Sequence, residues 1–485
     1  MLAPVVAIQS VHHLKEVPIG GLTAGAAELS VALTSGPSLP AGEISRPYSY
    51  DLKQRLSVTG DNAYSSTKVS WELLSGMLPL GLSLGVDGVI SGIPTTKDPA
   101  GSSFQVGATY KGKNGQQVYT IVVNGVALHV TQLSAGHLHT CALTDTGGVK
   151  CWGANYAGQL GTGTGDSSLT PVSVVGLSSG VVSVSAGLSH TCAVTAAGGV
   201  LCWGDGMFGK LGNPDALSGS TTPVQVSGLG SGVASVSAGR YHTCAVTTGG
   251  GVKCWGADWQ GQLGNDISLV NQSTPVDVAG LTSGVTSVSA ASHTCAVTAA
   301  GGAKCWGPGS GGVLGNGLTA DQPTPVDVMS LTSGVAQVSA GPSHTCAVTT
   351  AGGVLCWGPD LFGELGNDAL LVDSFTPVSV FGASSGFSRV SVGDSFSCAV
   401  TQAGALKCWG RADLGKLGNG MSSGVQPVPS DVTGLNSGVT LVTTGTWHAC
   451  AIAAGRAQCW GRSDFGQLGN SAVSGDQLTP IDVQP

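Results

Sequence analysis

Two cysteines ten positions apart bracket the stretch HTCAVTAAGGVLCWG, residues 190–204. Thiols at that range can ligate a metal, exchange electrons, or staple two neighbouring strands. A histidine two places before the first cysteine adds a candidate ligand. A tryptophan directly after the second adds a large aromatic surface. The stretch recurs: fourteen cysteines fall into the pairs Cys141/Cys151, Cys192/Cys202, Cys244/Cys254, Cys295/Cys305, Cys346/Cys356, Cys398/Cys408 and Cys450/Cys459. Successive first members stand 51 or 52 residues apart. A catalytic centre needs one set of partners, so seven-fold recurrence points to framework and away from catalysis.

A fixed period of this length signals a propeller or a solenoid. One unit reads as four short strands: VVSVSAG from Val181, HTCAVT from His190, VLCWG from Val200, and TPVQV from Thr222. The turn AAGG joins the second and third strands, and a variable loop beginning DGMFGKLGN joins the third and fourth. Seven such units predict an all-β fold, a seven-bladed β-propeller of four-stranded blades. Whether the TP strand stays in its own blade or joins the next is left open.

A hairpin closed by that turn sets Cys192 opposite Cys202 and Val194 opposite Val200. Facing Cβ atoms in such a pair lie about 4.5–5.5 Å apart, close to disulfide geometry. The last pair is spaced nine, and its turn is one residue shorter at Ala454-Gly455, which restores the facing arrangement. Cross-strand disulfides are therefore the leading reading, with reduced core cysteines and metal ligation as alternatives. The close C-x-x-C pairs of zinc and redox sites are absent. Seven staples imply an oxidising compartment. An extracellular or cell-surface place follows, although MLAPVVAIQSVHHLKEVPIGG shows no signal peptide.

His139, His190, His242, His293, His344 and His448 precede the first cysteine by two, with Phe396 in the sixth unit. Repetition assigns them to hydrogen-bonded framework that ties the turn after SAG. The tryptophan after each second cysteine is expected to pack blade on blade. The glycines of GQLG and LGN serve turns and lack the lysine of a phosphate loop. Asp266, Asp368 and Asp373 lack the ligand density of a calcium loop. The sequence thus predicts no catalytic residue, no metal and no cofactor. Charged residues are only 9% of the chain, its net charge is -8, and its 19 basic residues form no cluster. That offers no footprint for nucleic acid, and no apolar run is long enough for a membrane-spanning segment.

The units SAGRYHTCAVTTGGGVKCWGADWQGQLGN (237–265) and TGTWHACAIAAGRAQCWGRSDFGQLGN (444–470) resemble the regulator of chromosome condensation repeat. The resemblance covers about 130–485 and implies a seven-bladed propeller. Paired cysteines, low charge and the lack of a basic tail depart from the chromatin-bound members and resemble a bacterial, cell-surface version. A light-sensing branch of the family clusters tryptophans in GWRHT-like motifs. Here only Trp447 precedes the histidine position as a tryptophan, so photoreception is not expected. Upstream, WELLSGMLPLGLSLGVDGVISGIP from Trp71 to Pro94 resembles the immunoglobulin-like domain of bacterial surface proteins. The expected organisation is an unassigned segment 1–37, an N-terminal immunoglobulin-like β-sandwich at 38–126 and a propeller at 127–485.

Rigid frameworks carry recognition on their loops. The expected function is a non-enzymatic, monomeric scaffold that binds a protein partner. Trp259, Phe362 and Phe375, placed in variable loops, are the candidate anchors. A guanine-nucleotide exchange factor for a small GTPase and a protein inhibitor of an enzyme are the alternatives that the resemblance implies.

Overall fold

The computed structural model describes residues 28–485 except 35, 37, 125–127, 267–268 and 370–371. Its contacts fall into two compact units, Met1–Val126 and Ala127–Pro485. Most of the unassigned segment expected at 1–37 lies outside the described residues.

The first unit is built from β1 (Ser30–Leu33), β2 (Gly42–Glu43), β3 (Tyr48–Asp51), β4 (Leu56–Thr59), β5 (Ser70–Gly76), β6 (Leu82–Leu84), β7 (Val89–Gly92), β8 (Asp98–Tyr110) and β9 (Lys113–Asn124). A four-stranded sheet β2-β9-β8-β5 and a three-stranded sheet β3-β7-β6 enclose Leu52, Ile90, Phe104, Val106, Tyr119 and Ile121. Alternation along β8 and β9 supplies most of these residues, since every second side chain faces the core. The unit begins earlier than the expected residue 38: β1 pairs with β4, Val31 opposite Val58. The run SVAL is too short between Gly, Ser and Pro neighbours to stand out as a strand. Gly88 has φ +81, and a Cβ built there would stand 2.5 Å from the Trp71 ring, which explains a glycine in this motif.

The second unit holds seven four-stranded antiparallel sheets, each continuous in sequence. Blade one consists of β10 (Val130–Ala135), β11 (His139–Thr144), β12 (Val149–Gly153) and β13 (Ser168–Ser173). The other six blades span 181–225, 233–277, 285–327, 335–379, 387–431 and 439–482. The TP strand therefore stays in its own blade. In blade two Cys192 pairs with Cys202 and Val194 with Val200, the register that the turn length dictates. The same register sets Cys141 opposite Cys151, Cys244 opposite Cys254 and Cys295 opposite Cys305. It also sets Cys346 opposite Cys356, Cys398 opposite Cys408 and, across the shorter turn, Cys450 opposite Cys459. Each blade buries the cysteine pair and the adjoining apolar residues against the next blade's tryptophan, as Cys192, Cys202, Val194 and Val200 do against Trp255.

Ring closure repeats the cysteine–tryptophan packing of the other junctions, with Cys450 and Cys459 against Trp152. Val130 N–H also donates to Gly455 O, joining blade one to the last hairpin. That hairpin has two turn residues, Ala454 at φ +50 and Gly455 at φ +77, between the paired Ala453 and Arg456. Both angles belong to a type I′ turn, for which alanine is poorly suited and asparagine well suited. Ala454→Asn is expected to stabilise the unit by roughly 0.5–1 kcal/mol, read as a higher urea midpoint. An unchanged or lower midpoint would count against the strained turn.

Candidate functional site

Strand order decides which end of a blade can vary. The turn between the first and second strands and the loop between the third and fourth lie at one end. The second–third hairpin and the link to the next blade lie at the other. The hairpin turns and links are short and repeated, with Phe381 their one aromatic residue and Asp145 their one charge. The opposite end, called here the loop face, carries Tyr156, Phe208, Tyr241, Trp259, Phe362, Trp447 and Phe465.

Beneath this face the repeated residues form a clip between blades. The Gln159 carbonyl accepts the Thr191 hydroxyl at 2.9 Å and the Trp203 indole N–H at 2.9 Å. His139 Nε2 meets that same Thr191 hydroxyl at 2.9 Å. All seven tryptophans donate in this way at 2.8–3.0 Å, and six histidines reach the next blade's hydroxyl at 2.6–2.9 Å. The histidine ring thus reaches the next blade, while its backbone carbonyl ties the turn after SAG, as His190 O does by accepting from Gly187 N at 2.9 Å. The hydroxyl proton is committed to the carbonyl, so the histidine must donate from Nε2. Its Nδ1 is then a bare lone pair, and in five of the six that atom is buried without a partner. Burial holds the imidazoles far below their usual range: about 3 for His139, His293, His344 and His448, about 4 for His242, and well down for His190.

The last glycine of each GQLG-type run has a double reason. Gly212 sits at φ +68, and a Cβ there would stand 2.7 Å from Trp255 Nε1 in the next blade. No other residue permits both the turn and the approach.

The cysteines come one residue beyond these clips along the strands, away from the loop face, as Cys192 opposite Cys202 follows Thr191 opposite Trp203. Cys141 and Cys151, Cys192 and Cys202, Cys244 and Cys254, and Cys295 and Cys305 stand at disulfide-bonding distance, with Cα atoms 4.1 Å apart. So do Cys346 and Cys356, Cys398 and Cys408, and Cys450 and Cys459, at 4.0–4.1 Å. Among the described residues no cysteine is free. No group of three or more His, Cys, Asp or Glu among them could hold a metal ion. No helix among them is long and apolar enough to cross a membrane.

The loop-face aromatics form two groups. Over blades two and three, Trp259 lies 4.7 Å from Phe208 and 5.5 Å from Tyr241, and Trp259 is 40% exposed. Arg240 stacks on Tyr241 at 5.3 Å. Over blades five to seven, Arg411 stands 4.7 Å above Phe362, while Arg462 lies 5.8 Å from both Trp447 and Phe465. Phe375 joins neither group. It belongs to the outer strand Ser374–Ser379, not to a loop, and lies beside Gly312 of the preceding blade. The stretch SFTPVS aligns with STTPVQ of blade two, so the strand begins before the phenylalanine. Tyr241, Phe208 and Trp447 are not among the anchors that the sequence predicts, although Trp447 stands out there before the histidine position. Comparing units would have found two of them, since GRYH and GTWH replace the plainer LSH and ASH.

Charge is built into the same face. The glutamine of GQLG accepts a loop N–H in blades one, three and seven. Glu364 takes its place in blade five and accepts from Phe362 N at 2.5 Å. Burial pushes Glu364 up to about 7, and the neighbouring Asp360 up to about 6. Lysine takes the place in blades two and six. Lys210 pairs with Asp205, and Lys416 donates to the Asp394 carbonyl at 3.1 Å under the Trp447 ring. Burial draws Lys416 down to about 8.

Two family models match the chain: "RCC1-like domain" over 100–429 and "Putative Ig domain" over 30–124. The chain is 34% identical over 351 residues to the ultraviolet-B receptor UVR8 of Arabidopsis thaliana, covering 70% of this chain and 78% of that protein. It is 30% identical over 360 residues to the human E3 ubiquitin-protein ligase HERC2, covering 70% of this chain but spanning 7% of that protein's length. Among solved structures, Prp20p of Saccharomyces cerevisiae superposes with a TM-score of 0.62 at 20% identity, covering 71% of this chain and 87% of that one. That structure was described with its binding properties to Gsp1p and histones.

Proposed function

The chain belongs to the RCC1-like domain family, and on that premise we propose that it is a non-enzymatic scaffold whose loop face binds a protein partner. The observation that carries this reading is the difference between the two ends of the blades. One end repeats short turns flanked by Lys–Asp pairs and carries Phe381 as its one aromatic loop residue, and the other concentrates aromatic side chains interleaved with arginines. Aromatic and arginine residues dominate the energetic centres of protein interfaces. Trp259 with Phe208 and Tyr241 forms one anchor, and Phe362 under Arg411 forms the other. The cysteine pairs support an exported or cell-surface place in an oxidising compartment. They weigh against an intracellular exchange factor, and the likeness to Prp20p concerns the fold alone.

The test is cross-linking of the purified protein to an extracellular fraction, with the partner identified by mass spectrometry. The double substitution Tyr241→Ala/Trp259→Ala is expected to weaken that partner by roughly tenfold or more. Asp145→Ala, at the opposite end, is expected to leave it unchanged. Cross-links confined to the hairpin end, or acceleration of GDP release from a small GTPase, would overturn the reading.

A further inference from the structure

The first strands of the seven blades surround a central channel, and its loop-face end widens into a cavity of about 310 Å³. The wall is apolar and small, with Ala135, Ala186, Ala238, Ala290 and Ala340 at equivalent positions. The rim is not uniform. Blade three contributes Arg240, blade six Asp394, and blade seven Trp447.

Arg240 donates its Nε–H to the Tyr241 hydroxyl at 3.1 Å and stacks on that ring, which holds its guanidinium in place. Among the described residues it has no carboxylate partner within an ion pair's reach. The Asp394 carboxylate forms no salt bridge among them, although Lys416, bonded to its backbone oxygen at 3.1 Å, is close enough for the two charges to interact. Other charges near the rim are paired, Arg462 with Asp464 and Arg411 with Asp413. His137 is occupied by the Thr446 hydroxyl at 2.9 Å. His137, Arg240 and Asp394 all line the same opening.

We infer that the channel mouth is a binding site for a zwitterion with a small apolar body, an amino acid or a short peptide. Its carboxylate meets Arg240, its ammonium meets Asp394, and its side chain rests on the alanine ring and the Trp447 face. The cavity is at the small end of ligand pockets, which suits a molecule of this size. Each charged contact inside a half-enclosed site is the strong kind of hydrogen bond. The site borders both aromatic groups, through Arg240 on Tyr241 and through Trp447, but its ligand is of another class, so titration with the dipeptide tests it apart from the protein partner.

The test is calorimetric titration of the whole chain with L-alanyl-L-leucine, its N-acetyl derivative and its C-terminal amide. The free dipeptide is expected to bind, and each blocked form to bind roughly tenfold more weakly or less. Arg240→Gln should abolish the preference for the free carboxylate while keeping that for the free ammonium. Asp394→Asn should do the reverse. Circular dichroism and an unchanged urea midpoint would show that both variants are folded. Free L-leucine, titrated in parallel, distinguishes an amino acid from a peptide as the better ligand. Equal affinity for blocked and free dipeptides, or no binding of any probe at millimolar concentration, would overturn the proposal.

Discussion

Acidification from pH 6.5 to 4.5 is expected to remove most of the propeller's stability. Six buried histidines are held neutral, with values near 3–4 where a number can be given, against an unfolded value near 6.5. Above pH 6.5 both states carry neutral imidazoles, and nothing is lost. Below it the unfolded chain takes up protons that the folded chain refuses. Each histidine then costs about 1.4 kcal/mol per pH unit until its folded value is reached. Three carboxyls act in the opposite sense. Asp258 and Asp360 are pushed up to about 6 and Glu364 to about 7 by burial. A raised carboxyl contributes its full stability below its unfolded value and loses it as pH climbs through the folded one, so these three favour folding as the pH falls. Six against three leaves a net uptake of three protons, or about 4 kcal/mol per pH unit, and His137, also lowered by burial, adds in the same sense. Over two units that is on the order of 8 kcal/mol, comparable with the whole stability of an ordinary domain.

Urea unfolding followed by tryptophan fluorescence at several pH values measures this slope directly. The molecule supplies its own control. Blade six has Phe396 where the others have histidine, and blade seven has Ala449 where the others have Thr or Ser. Donor and acceptor are replaced together at that one junction, so no polar group is stranded. The double substitution His293→Phe/Thr345→Ala copies it between blades four and five. It should keep the fold and reduce the slope by about 1.4 kcal/mol per pH unit. A slope that does not change would mean that the acid response comes from elsewhere.

This junction also shows what one sequence can and cannot reveal. The period, the strand count and the facing cysteines are legible because each rests on near neighbours. Turn length alone places Cys192 opposite Cys202, and the shorter Ala454-Gly455 turn compensates for the shorter spacing of Cys450 and Cys459. The role of the histidine is not legible in that way. Its partner lies about 50 residues on, and only blade packing joins them. The paired change at Phe396 and Ala449 is a trace of that contact, readable once the contact is known. Phe375 reads as a loop residue because composition does not separate a strand start from a variable loop, and the strand Ser374–Ser379 takes it in. Arg240 and Asp394 share a rim only because the ring closes.

Reduction should cost the propeller more than any single substitution described above. Each cysteine pair closes a loop of nine or ten residues across one hairpin. Loop-closure entropy puts each bridge at about 2–3 kcal/mol, by its constraint on the unfolded chain. Every cysteine is fully buried, and each pair packs against the next blade's tryptophan. A reductant therefore cannot reach the sulfurs without opening a blade, and the native protein should resist it for as long as it stays folded. Under denaturing, non-reducing conditions, mass spectrometry should find no alkylated cysteine. After reduction in denaturant and refolding with reductant present, the thiols can still serve as small apolar core residues. The propeller should then re-form with a much lower urea midpoint. The N-terminal unit contains no cysteine, so its own transition should not move. Equal midpoints for oxidised and reduced protein would mean that the bridges add nothing to stability. Fourteen free thiols in protein taken from its source would remove the ground for an oxidising compartment. The exchange-factor reading would then regain its place, because the blade clips of histidine, threonine and tryptophan do not depend on oxidation.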